Sequence, residues 1–509
     1  MAAESTRKTR MAIVEEISAG DLSPPIAATD YLAVQDGLTL TPSFEALENE
    51  ELKASIGASK TIQGLENPEG EVSHYLYGAG VEGQPPEMDL LIKSAFGASS
   101  VASTEYDTTA GSTAGTASVA AAINVGVGEG ATFERGEALL IKDSANGYSI
   151  RPIESISGDA LTLGFNLSAA PAAAVNLGKA VLYKPDDSAH PSLSVWDFRG
   201  NAAVVQACAG MKVSEMSLEG TAGEFVNMSF SLTGLSFYWD PIEVTSATSY
   251  LDFTDDDGTF AAQVALGWYR DPHDLAAAVT SAMNNANAGE THSCVYVDSL
   301  GKFKITSTGT VLSLLFATGA NTANTIATKI GFTVADETGN AASTGYTSDN
   351  ALVLTSPQTP SLDGQDPLVA KDNEVFIGDF ADNVCFCVQT LTFTLSNEIT
   401  GVACICASAG QSEKITIGRT ATVELTAVLD RYEAEKFNRF RTNASTRFLF
   451  NFGPKSGGNW VAGKSGCLYI PSATISAFEV GDSDGVVVLN MTLTAFTNSG
   501  EGEVYLNFV

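Results

Sequence analysis

The sequence predicts a mainly β protein assembled from two related halves and two interrupting modules. Three observations carry this. Long runs alternate apolar and polar residues with period two, the signature of half-buried strands. Gly-containing turn signals recur between those runs. The order of elements in the first part of the chain returns in the last part. At 509 residues the chain is long enough for three or four domains. Its 44% hydrophobic content supplies genuine cores.

Residues 31–66 read as short strands and connections. "PPEMDLLIKSAFG" then reads as a helix, with Pro86 in its first turn, Met88, Leu91, Ile92 and Ala95 on one face, and Gly97 ending it. From residue 98 to 122 the composition shifts to Ser, Thr, Ala and Gly, which reads as a linker. A small β unit follows at about 123–185, with turns at Asn146-Gly147 and Gly158-Asp159. In "NMSFSLTG", Met228, Phe230 and Leu232 face one way while Ser229 and Ser231 face the other. Residues 244–350 read as an insert. Asp271 caps a helix that starts at Pro272 and carries Leu275, Val279 and Met283 on one stripe. A hairpin turning near Gly301 follows, and "ANTIATKIGF" closes the module as a short helix.

From about residue 356 the first half repeats. "EKITIGRTATVELTAVLD" (413–430) mirrors "LKASIGASKTIQGLENP" (52–68), with Ile417-Gly418 opposite Ile56-Gly57. A helix follows each copy. The closing hairpins also match: Ile475, Ser476 and Phe478 stand against Val213, Ser214 and Met216. "NMTLTA" then faces "NMSFSL", with one extra residue assigned to the turn because a slip within the strand would invert its core face. The resulting division is 1–100 and 186–243 for the first repeated domain, 101–185 for linker and small β insert, 244–355 for the α+β module, and 356–509 for the second repeated domain.

Four patterns suggest chemistry, and their contexts argue against it. "GNWVAGKS" fits G-x-x-x-x-G-K-[ST] through Gly458, Gly463, Lys464 and Ser465, but strand-forming residues and Pro471 follow where a phosphate loop needs a helix. Cys385, Cys387, Cys404 and Cys406 could place four thiols on two strands, yet C-x-C lacks the knuckle turn of zinc sites. "DFTDDDG" and "VGDSDG" miss the calcium-loop pattern and read as acidic turns. His74, His190, His273 and His292 have no metal or catalytic spacing. The chain does not read as an enzyme, and no cofactor is expected.

The 60 Asp and Glu against 27 Lys and Arg give a net charge of -33. That balance opposes binding nucleic acid through its phosphates. No secretory h-region and no apolar run of about 18 residues occurs, so neither export nor a membrane partner is expected. The seven Cys are expected reduced.

"SKTIQGLENPEGEVSHYLYGAGVEGQPPEMDLLIKSAFG" and "LSVWDFRGNAAVVQACAGMKVSEMSLEGTAGEFVNMSFSLTG", with their second-half counterparts, resemble the tail tube proteins of long-tailed bacteriophages. The resemblance covers roughly 300 residues. It implies two tandem tail-tube β-sandwich or barrel domains, each with a flanking helix. It also implies a virion tail subunit, made in the host cytoplasm, that stacks in rings around a DNA channel and meets other tail proteins at the tube ends. DNA would pass without specific binding. Two like units per chain allow three chains to fill six equivalent places, a homotrimeric ring that looks sixfold. The ring-contact candidates are His74, Tyr75, Tyr77 and Glu82 in the loop before the first helix, with Trp460 and Lys464 in "GNWVAGKS". The alternative is a phage decoration protein or bacterial adhesin built of β modules without ring symmetry.

Overall fold

In the computed structural model the described residues are 9–35, 38–49, 60–101, 119–172, 175–187, 190–200, 202–354, 357–360, 366–379, 381, 385–429, 434–497 and 502–509. Two compact units emerge. One comprises Met1–Ala12, Ser194–Ala209 and Ser236–Thr359, the other Ile13–Leu193, Gly210–Leu235 and Pro360–Val509.

Seven strands organise the larger unit: β1 (Glu69–Tyr75), β2 (Val204–Thr221), β3 (Asn227–Thr233), β4 (Val388–Ala403), β5 (Gln411–Val428), β6 (Gly466–Ser483) and β7 (Val486–Ala495). All pair antiparallel with their neighbours, in the spatial order β1, β3, β2, β4, β5, β7, β6. The mainly β fold is as expected. Alternation works as read from the sequence: Met228, Phe230 and Leu232 of β3 are buried.

Two helices of this unit follow corresponding strands. α1 (Asp89–Phe96) comes after β1, and α3 (Ala434–Thr442) after β5. α1 starts three residues later than the position of Pro86 suggests. Pro86 instead closes a turn, its carbonyl accepting the Asp89 N–H at 3.0 Å. Gly97 ends the helix at φ 101°, a conformation that excludes most other residues.

The repeat is visible as a shared irregularity. The β2–β3 ladder is bulged between Val213 and Glu215, and the β6–β7 ladder between Ile475 and Ala477. The extra residues are Ser214 and Ser476, the pair matched by sequence. Aligning on the bulge makes Met216 equivalent to Phe478 and Phe230 equivalent to Met491. The two "NM" dipeptides are therefore two positions out of register. The offset is even, so Met228 and Met491 still both face inward. The first match needs a larger correction. β5 pairs with β7 as β1 pairs with β3, so the partner of 413–430 is 69–75 and not 52–68. Ile56-Gly57 lies outside the described residues.

Residues 122–178 form a five-stranded sheet with its own core of Ile123, Leu139, Ile141, Ile153, Leu161 and Leu177. Its other side packs through Ala138, Leu140, Ile150 and Phe165 against Leu449, Trp460, Tyr469 and Tyr505. Val181–Pro185, expected in this small unit, instead joins the large sheet between Tyr505–Phe508 and Gly97–Val101. Residues 98–101, expected as linker, thus belong to the strand Gly97–Val101.

In the other unit, residues 242–346 enclose a core of Leu251, Phe253, Leu275, Val279, Met283, Phe303 and Ile305. α2 (Pro272–Ala286) begins as expected, the Asp271 side chain accepting the Asp274 N–H at 2.9 Å. The hairpin His292–Val297 with Lys302–Ser307 turns through Gly301 at φ 65°. The expected closing helix is two 3-10 turns, Thr322–Asn324 and Ala327–Ile330.

Glu137, at the start of strand Ala138–Asp143, is 5% exposed, and its Oε1 meets no partner. Burial pushes its carboxyl up to about 7 from an ordinary 4.5. The folded chain keeps a proton there that the unfolded chain has released, so stability falls as pH rises from about 4.5 to about 7. Glu137→Gln is expected to flatten that slope and raise stability at pH 8 by about 2–3 kcal/mol. Urea unfolding of both proteins at pH 5 and pH 8 measures it.

Candidate assembly surface

The two segments singled out by sequence lie against each other. The Gly80 N–H donates to the Gly463 carbonyl at 2.8 Å. A Cβ on Gly78 would fall 2.5 Å from Lys464 Cα and 2.7 Å from the Gly463 oxygen, and one on Gly463 would meet the Val81 backbone at 2.8 Å. Glycine at both positions is what allows the loops to touch. Gly463 also has φ 75°.

"GNWVAGKS" itself is a turn and a strand entry. Lys455–Ser456 and Asn459–Trp460 form a minimal hairpin through Gly457 and Gly458, and β6 begins at Gly466. A strand where the helix should stand removes the phosphate-cradling N–H groups. Lys464 is half-buried, and Ser465 donates through Oγ to the Val461 carbonyl at 2.8 Å. Trp460 is 2% exposed, with Lys455 Nζ 4.1 Å from its ring centroid. It is a core residue of this chain and offers no surface to a neighbour.

The loop 74–87 is anchored from both ends. His74 is fully buried on the inward face of β1, opposite Met228. Its Nδ1 contacts the Tyr75 carbonyl, and its Nε2 stands 3.5 Å from Glu87. Tyr77 packs on the His74 ring edge-to-face at 5.3 Å, and burial followed by the Glu87 charge pushes its hydroxyl pKa up. Glu82 accepts from the Lys179 N–H at 2.9 Å and pairs with Lys142 at 2.8 Å, tying the loop to the five-stranded sheet. Tyr75 points away from the core and packs on Phe225 at 5.1 Å. The loop and α1 border a cleft of about 520 Å³ lined by Tyr31, Tyr77, Val81, Pro86 and Met88.

The sequence reading missed a second surface. β2 has strands on both sides: β3 on one, and β4 on the other through Glu215–Thr221. The equivalent stretch of β6, Ala477–Ser483, has β7 on one side and no strand on the other among the described residues. Leu218, covered opposite Phe393, is fully buried, whereas its equivalent Val480 is 55% exposed. Val486 and Val487 of β7 are also exposed. Phe478 packs on Phe437 and Phe440 of α3 at 5.7 and 6.0 Å, and both α3 rings remain partly exposed. This is an apolar edge of the kind proteins otherwise protect. Matching Val480 to Leu218 through the repeat could have found it.

The thiol pairs are not one site. Cys385 and Cys387 precede β4 and Cys404 and Cys406 follow it, so sixteen extended residues, about 50 Å, separate them. "VGDSDG" is a two-residue turn through Asp484 and Gly485, both at positive φ.

A family model described as phage tail tube protein matches residues 6–267. That is just over half of the chain, which belongs to the phage tail tube protein family. Members of such a family are structural components of a virion tail that self-associate as stacked tube subunits. No curated protein matches the chain. Among solved structures, the SPP1 tail tube determined by solid-state NMR and cryo-EM is similar at 13% identity, covering 27% of this chain and 77% of that one with a TM-score of 0.21.

Gly78→Ala is expected to push the two loops apart, at a cost of about 1–3 kcal/mol from overpacking against backbone. Limited proteolysis should then cut within 76–84 faster than in wild type, while an Ala79→Ser control stays unchanged.

Proposed function

We propose that the chain is the tail tube subunit of a long-tailed phage, that three copies close each ring, and that the stacked rings form the conduit for DNA. The observation that carries this is the unequal pair of edges. Within one chain, β4 of the second half covers β2 of the first half. Among the described residues no strand pairs with the equivalent edge of β6, and a second copy can supply one.

The repeat supports one candidate for that strand. β4 pairs with β5, and the corresponding partner of β1 is Thr39–Thr41, aligned with Glu69–Glu71. Laying Thr39–Thr41 of one copy along Ala477–Ser483 of the next repeats the β2–β4 contact between chains. Such a contact is head-to-tail, and it closes a ring if the rotation permits. With two like units per chain, closure at six units takes three chains.

The loop carrying Tyr75, Tyr77 and Glu82, together with Lys464, supports the reading as a second contact region. His74 and Trp460 serve it from within by holding the loops. The net charge of -33 supports passage of DNA without arrest, since few cations are available to exchange for its counterions.

Purified chain at high concentration is expected to form hollow tubes in negative stain. Val480→Asp should fold normally by circular dichroism yet stay dispersed, because a carboxylate on the uncovered edge opposes pairing. Tubes of undiminished yield from Val480→Asp would remove the edge contact, and dispersed wild-type chains at every concentration would remove the tube.

A further inference from the structure

We infer that Asp255, Glu290 and His292 form a site for one divalent transition-metal ion of the zinc type, stapling the acidic hairpin turn at 255–258 to the segment that leaves α2. By sequence, "DFTDDDG" is an acidic turn and His292 has no metal spacing. The fold brings them together: one donor atom from each of the three residues lies within 4.8 Å of the other two.

His292 points to a ligand independently of the acidic residues. It is fully buried, and neither of its ring nitrogens makes a hydrogen bond. Its Nε2 stands 3.3 Å from Asp255 Oδ2, a contact lacking hydrogen-bond alignment. A buried imidazole whose nitrogens make no hydrogen bond costs free energy that a metal bond at Nε2 would offset. The backbone of His292 is fixed, its N–H donating to Asn284 at 2.7 Å and its carbonyl accepting from the same amide at 3.0 Å.

The carboxylates are held by outer partners, as metal ligands usually are. Asp255 Oδ2 accepts from Asn287 at 2.7 Å, and its Oδ1 from the N–H groups of Asp257 and Gly258 at 3.0 and 3.2 Å. Glu290 accepts from Ser307 Oγ at 2.5 Å and from the Asp256 N–H at 3.1 Å. Glycines give these acids their room: a Cβ on Gly309 would lie 2.1 Å from Glu290 Oε2, and one on Gly289 would lie 2.1 Å from Asp257 Oδ2. Among the described residues no Lys or Arg pairs with Asp255, Asp256, Asp257 or Glu290. Negative charge thus accumulates there without a cation of the chain to balance it.

One imidazole and two carboxylates suit zinc or a neighbouring first-row dication better than calcium or magnesium, which prefer oxygen alone. Donors around a tetrahedral ion at about 2.1 Å sit about 3.4 Å apart, so the set, now within 4.8 Å, needs to contract by up to about 1.4 Å. Three protein donors leave one position for water. The site lies outside the tube-forming strands, so the role that follows is stability of the module at 242–346.

The test uses the full chain, stripped with EDTA and then dialysed against zinc chloride. Metal analysis is expected to return one zinc per chain, with a raised melting temperature that calcium or magnesium chloride does not reproduce. Cobalt substituted for zinc should show visible ligand-field absorption. Glu290→Gln, a half-buried change that keeps the side-chain size, should weaken zinc binding at least tenfold, and zinc should raise its melting temperature above its own metal-free value by less than in wild type. His292→Asn should abolish binding, and the Glu290 variant keeps the test decisive if that protein fails to fold. Zinc well below one per chain, equal retention by Glu290→Gln, or equal stabilisation by calcium would each overturn the site.

Discussion

The ladder between Glu215–Thr221 of β2 and Thr390–Ser396 of β4 is the interaction on which the rest of the large unit depends. It joins residues 169 to 181 positions apart in the chain and turns two hairpin systems into one sheet. Backbone hydrogen bonds along it are indifferent to side chains, but its register is not. Met216 opposite Leu395 and Leu218 opposite Phe393 put four apolar residues on one buried face, and a slip by one residue would expose them all. Asn397 extends the join past the ladder, its Nδ2 donating to the carbonyls of Val213 at 3.0 Å and Ala95 at 2.9 Å. It thereby fixes the β2 bulge and the end of α1 to the same strand.

Among the described residues, Ala477–Ser483 of β6 pairs on one side only, and Thr39–Thr41 pairs only with β1. Their apolar residues, Val480 and its neighbours, are costly to leave in water and cheap to bury against a second chain. Assembly by this route needs no contact type that the monomer does not already contain. The two modules at 122–178 and 242–346 carry their own cores.

Much of this was legible in the sequence where a local rule decides the outcome. The period-two face of β3, the Asp271 cap, the turn at Gly301 and the failure of "GNWVAGKS" as a phosphate loop all follow from neighbours within a few residues. The repeat was legible in outline and misaligned in detail, because the letters "NM" recur two positions away from the structurally equivalent place. Only the bulge at Ser214 and Ser476, a property of two paired strands, corrects the register. Long-range placement was not legible. Nothing local says that Trp460 is sealed beneath the five-stranded sheet, that His74 occupies a core position equivalent to Ala427, or that Gly78 meets Lys464. Nor could spacing place His292 beside Asp255, since 36 residues, with two strands and α2 among them, lie between them.

The central claim is that one chain supplies two of six ring positions through a join repeated between chains. Mass per unit length of assembled tubes, taken with the axial ring spacing from the same particles, tests it most directly. Three copies of the 53.0 kDa chain in each axial repeat is the expected result. Six copies per repeat would contradict it, because each chain would then occupy a single position and the two halves would not be interchangeable.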